Sequence, residues 1–134
     1  MKMELYHFTA RHLFEQIKTE GITKGMAPIC KYPEIRWSKK YRWLTHNPSF
    51  SQAWDKGLTI PYSRTDIRIK INIPEEKNII WWLNYCESKK NHPFIRDLNN
   101  QNFTNPNEWY LYQGNIPVNW FIEAIDRNEV NVLE

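Results

Sequence analysis

Leu5-Tyr6-His7-Phe8-Thr9-Ala10-Arg11-His12-Leu13-Phe14-Glu15-Gln16-Ile17-Lys18-Thr19-Glu20-Gly21-Ile22 is the stretch from which the fold is read. Residues 4–8 alternate in polarity and predict a strand. Thr9 has the chemistry of an N-cap, and Ala10, Leu13, Phe14 and Ile17 follow at the spacing of one apolar helix face. Gly21 predicts the helix end, with Ile17 and Ile22 placed for the hydrophobic contact that accompanies a glycine cap.

Outward from this unit, residues 25–41 read as a long loop holding Pro28 and Pro33. Arg42-Trp43-Leu44-Thr45-His46 reads as a short strand, after which Asn47 caps a helix with Pro48 in its first turn. Phe50, Ala53 and Trp54 give that helix its face and Gly57 closes it. Asp66-Ile67-Arg68-Ile69-Lys70-Ile71-Asn72-Ile73 is a strict period-two strand stopped by Pro74. Residues 78–88 fit either a buried strand or a helix start, and an asparagine-rich helix-and-loop region follows. Residues 108–112 and 118–125 read as two strands joined by Gln113-Gly114-Asn115-Ile116-Pro117, which has turn chemistry. Helices in the first half and strands throughout predict an α+β fold with mixed, mainly antiparallel sheets.

The 134 residues are the size of a single domain, 1–134, and the aromatic content, with seven Trp, supplies a packed core. No apolar run approaches the roughly 20 residues that span a bilayer, and Met1-Lys2-Met3-Glu4 is unlike a signal peptide, so a cytoplasmic protein without a membrane partner is expected. Cys30 and Cys86 lack the neighbours of a zinc site or the density of a disulfide scaffold, and read as ordinary thiols. Four glycines leave no GxGxxG or P-loop, and HExxH, GxSxG and DxDxDG are absent, so no metal is expected. The net charge of +3 is concentrated in residues 31–42, where Arg36, Lys39, Lys40 and Arg42 alternate with aromatics. Such a stretch fits either a nucleic-acid clamp or a solvated loop pinned by its rings.

His7 lies in a strand just before a helix, where a polar side chain can face a crevice and hydrogen-bond a sugar hydroxyl. Glu108 opens a strand edged by Trp109 and Tyr110, a partly desolvated setting in which a carboxylate stabilises developing positive charge. Thr45 ends a strand next to Asn47-Pro48, placed for a ligand contact or for helix capping. His12, His46 and His92 read as surface residues, and Glu123 shares the chemistry of Glu108 without its loop-edge position.

Taken in order, Leu5-Tyr6-His7-Phe8-Thr9, the helix ending Glu20-Gly21-Ile22, Trp43-Leu44-Thr45 and Asn107-Glu108-Trp109-Tyr110 resemble the ADP-ribosyltransferase superfamily. The resemblance spans residues 4–123 and implies an ADP-ribosyltransferase-like fold and NAD as the substrate. It implies that His7, flanked by Tyr6 and Thr9, binds a ribose of NAD, that Trp43 and Thr45 line the nicotinamide pocket, and that Glu108 is catalytic. The acceptor it implies is a macromolecule, protein or nucleic acid. Many members carry Glu or Gln two residues before the catalytic glutamate, where this chain has Pro106, and many carry Tyr or a Ser-Thr-Ser run at the second motif, where this chain has Leu44-Thr45. Tyr62 is the candidate for the stacking role, and the related RNA 2′-phosphotransferases use NAD in a similar cleft. The alternative reading is a non-enzymatic nucleic-acid or protein-binding module built on residues 31–42.

Overall fold

The structure, a computed structural model, describes residues 3–25, 27–31, 34–52, 63–74, 77, 79–86, 95–96, 99 and 105–133, with backbone alone for 28–31 and 34–36. The period-two isoleucine run forms a strand, β5 (Ile67–Ile73), because alternation puts every isoleucine on one face. Ile67, Ile69, Ile71 and Ile73 are buried there, while Arg68, Lys70 and Asn72 are half-buried on the other face. β1 (Met3–Thr9) pairs with β5 along its whole length, and the register sets Leu5 opposite Ile71, His7 opposite Ile69 and Thr9 opposite Ile67.

The remaining strands are β2 (Ala27–Lys31), β3 (Glu34–Ser38), β4 (Tyr41–Thr45), β6 (Ile79–Trp81), β7 (Trp109–Gln113) and β8 (Phe121–Asp126). Six of the strands form one sheet in the order β6-β7-β4-β1-β5-β8, every neighbouring pair antiparallel, and β2 with β3 forms a separate ribbon. With helix α1 (Arg11–Glu20) and the single turn α2 (Trp82–Tyr85), this is a small α+β fold. Two apolar clusters hold it. One joins Phe14 of α1 to Leu5, Leu44 and the β5 isoleucines; the other gathers Trp82 and Cys86 with Trp109 and Leu111.

Gly21 ends α1 at φ +83°, and its N–H donates to the Ile17 carbonyl at 2.8 Å. A side chain there would collide with the backbone oxygen of Ile116, because Ile22 and Ile116 exchange backbone hydrogen bonds at 2.9 and 3.0 Å. Arg42, 5% exposed, donates to the carbonyls of Ile22, Thr23, Lys39 and Tyr41 and to the Asn115 side chain. One guanidinium thereby ties the segment after α1, the start of β4 and the turn after β7.

Several expectations are corrected. Thr9 is not the cap of α1: pairing with Ile67 keeps it in β1, Ala10 is the N-cap residue, and Asp66 accepts from the Arg11 N–H at 3.2 Å. Residues 25–41 are not a loop throughout, since β2 and β3 pair from Ala27–Ser38 to Lys31–Glu34. Pro28 is accommodated because both strands of a two-stranded ribbon are edges. The helix expected after Asn47 is absent over residues 47–52, and its remainder lies outside the described residues. Here the Asn47 and Ser49 side chains accept from the N–H groups of Ser49 and Ser51, closing local turns instead. Residues 79–85 are strand and then helix. Glu108 ends a short 3₁₀ turn, Pro106–Glu108, and the strand begins at Trp109. Likewise Val118–Trp120 is a 3₁₀ turn before β8. β7 and β8 do not form a hairpin; β4, β1 and β5 lie between them.

Candidate functional site

The sheet is split in its middle. β1 and β4 share only the register pair Tyr6–Thr45, whereas β1 matches β5 over seven pairs. From that pair the strands diverge, β1 running on through His7 to Thr9 and β4 back through Trp43 to Tyr41. A cleft of about 940 Å³ opens at the divergence. Its walls include Tyr6, His7, Thr9, Trp43 and Thr45, five of the seven site residues expected from the sequence. Tyr62 lies outside the described residues.

The His7 side chain spans the gap between the diverging strands. Its Nδ1 lies 2.9 Å from the Trp43 carbonyl oxygen. A carbonyl can only accept, so Nδ1 carries the proton and Nε2 of the neutral ring is left as an acceptor. Desolvation holds the His7 pKa below the ordinary imidazole value, the hydrogen bond to Trp43 opposes this, and the charges of Arg64 and Arg42 reinforce it. His7 is therefore suited to accept a hydrogen bond from a ligand hydroxyl, not to donate one.

Trp43 is fixed by Trp82 and Trp109, with ring centroids at 5.0 and 5.8 Å. Thr45 is buried, and its hydroxyl accepts from the Asn47 N–H at 3.1 Å, closing the turn after β4. Tyr6 carries the Arg68 guanidinium 5.3 Å from its ring centre. The Thr9 hydroxyl donates to the Ala10 carbonyl at 3.4 Å. Sequence reasoning missed the cations of the same cleft, Lys24 and Arg64, and the exposed Leu13 on its wall. Trp37, 49% exposed on β3, and Lys39 also line it, whereas Arg42 of the same basic stretch is buried. No carboxylate is among the described lining, so the cleft complements an anionic ligand with flat rings.

Glu108 stands just past the apex of the split. Its neighbour Trp109 pairs with Thr45, which pairs with Tyr6, and its own carbonyl accepts from the His46 N–H at 3.2 Å. The carboxylate is half-buried and outside the cleft lining; Asn47 Nδ2 donates to its Oε2 at 3.0 Å. Asn47 also borders a second pocket of about 550 Å³, bounded by residues 47–50, Arg68 and residues 127–129.

His46 is exposed and contacts Tyr110, His12 is exposed, and His92 lies outside the described residues. Glu123 pairs with Arg68 at 3.4 Å. Cys86 is a free, buried thiol. Among the described residues no three His, Cys, Asp or Glu side chains group as metal ligands, and no helix is long and apolar enough to cross a membrane.

Comparison of the chain with protein-family models, with curated proteins and with solved structures finds no match.

Proposed function

We propose that the split-sheet cleft binds NAD and that the chain is an NAD-dependent ADP-ribosyltransferase. The observation that carries this reading is the convergence of His7, Trp43 and Thr45 on one cleft with no acid among its described lining, and with Glu108 just past its apex. The volume suits a dinucleotide, being near the upper end of the roughly 300–1,000 Å³ range of small-ligand sites. Trp37 and Trp43 offer rings for the flat groups, Lys24 and Arg64 the charge for a pyrophosphate, and His7 Nε2 an acceptor for a ribose hydroxyl.

In the reaction the bond between C1′ of the ribose and the nicotinamide nitrogen breaks, and its electron pair leaves with neutral nicotinamide. Positive charge builds on C1′ and the ring oxygen, and the acceptor nucleophile then bonds to C1′ and gives up its proton. Glu108 stabilises that charge and holds the neighbouring 2′-hydroxyl. To do so its carboxylate exchanges the Asn47 amide for the substrate. Removal of one such stabiliser costs on the order of 10²–10³ in rate. Glu108→Gln is expected to slow release of labelled nicotinamide by that factor with little change in NAD affinity. Equal rates in the two proteins, or no NAD turnover by folded wild type with protein and nucleic-acid acceptors supplied, contradict the proposal.

A further inference from the structure

The second pocket is linked to the Glu108 carboxylate through Asn47. Asn47 both lines this pocket and donates to Glu108. Arg68 and Arg127 lie over the same Phe50 ring, at 5.3 and 5.8 Å from its centre. Stacking on a ring holds a guanidinium plane in place and leaves its in-plane N–H groups directed outward, the geometry that suits phosphate oxygens. Arg68 Nη1 donates to the Pro48 carbonyl, and Arg127 Nη2 donates to the Phe50 carbonyl and the Thr65 hydroxyl, which braces both groups. The Arg68 Nε is buried without a partner among the described residues. Glu129 is the sole acid among the described lining, against the two arginines, and Glu123 is engaged with Arg68 from outside it.

We propose that this pocket seats a phosphate of a single-stranded nucleic acid, with the Asn47 and Asn128 side chains beside the adjoining base, and that this strand is the acceptor. The acceptor role rests on the NAD reading above; phosphate recognition does not. A strand held here has a base or sugar next to Glu108 while NAD occupies the cleft. Amide side chains match base edges, which a phosphoprotein does not present.

The test is fluorescence anisotropy with labelled ten-nucleotide single strands of mixed sequence, DNA in one arm and RNA in the other, without NAD. Wild type is expected to bind at low salt. Arg127→Gln is expected to bind about tenfold more weakly and with a salt slope reduced by about one. Because Arg127 also braces residues 50 and 65, Asn128→Asp is the second variant. It adds repulsion while removing no described side-chain hydrogen bond, and is expected to weaken binding similarly. The absence of binding by either strand overturns the proposal, as does binding that both variants leave unchanged, or tighter binding of a phosphoserine peptide. Since NAD is absent, failure of the cleft reading does not alter this result, and a protein that binds NAD but neither strand refutes this proposal alone.

Discussion

At the residue scale, His7 shows how one hydrogen bond selects a chemical role. The Trp43 carbonyl fixes the tautomer, and desolvation lowers the pKa, so the ring stays a neutral acceptor as the pH falls past the usual imidazole midpoint. A depressed native pKa means that the unfolded chain takes up the proton first. Stability is then fully present above about pH 6.5 and is lost as the pH falls from there toward the native pKa. Urea midpoints of wild type are expected to drop between pH 7 and 5.5, and those of His7→Gln to drop less. Parallel pH profiles for the two proteins contradict the half-buried neutral histidine. Asp126 acts at lower pH: hydrogen bonds from the backbone N–H of Val130 and Asn128, with Arg11, outweigh desolvation and depress its pKa. Its contribution is present above the ordinary carboxylate pKa and fades as the pH falls through its native value.

At the element scale, Arg42 ties the segment after α1, the start of β4 and the turn after β7 through one guanidinium. Arg42→Met removes the guanidinium's hydrogen bonds to four carbonyls and one side-chain amide oxygen, of which the Ile22 carbonyl keeps the Ile116 N–H. It is expected to cost about 3 kcal/mol in urea unfolding, and a loss below about 1 kcal/mol contradicts the clamp. This role was illegible in the sequence, where Arg42 stands in a run of exposed-looking bases. β5 was legible because its isoleucine period is unbroken, and the α1 stop because a glycine at positive φ is demanded there. The β2–β3 ribbon was hidden by proline, which reads as loop unless the strand is known to be an edge. The Asn47 region misled for the opposite reason: Asn and Ser suit helix caps and isolated turns alike, and only tertiary context chooses. Of the site, His7, Trp43 and Thr45 were marked by their local setting. Arg64 and Lys24 were not, since neither belongs to a short motif and only the split sheet brings them to His7.

At the scale of the whole molecule, the split between β1 and β4 opens a cleft in the middle of the sheet. Seven register pairs anchor β1 to β5 and five anchor β4 to β7, so each lip of the cleft belongs to a different paired half of the sheet. Between β1 and β4 themselves the described links are one strand pair and the His7–Trp43 hydrogen bond across the gap. The described lining carries cations and no acid, which is the basis for proposing an anionic dinucleotide in this gap, and Glu108 is linked through Asn47 to the arginine pocket. Calorimetric titration of the folded chain with NAD at low salt and pH 7.5 tests this most directly. The account predicts saturable binding at one site per chain, competed by ADP-ribose and weakened about tenfold or more by Arg64→Gln. No saturable heat at millimolar NAD, or binding indifferent to Arg64→Gln, would contradict it.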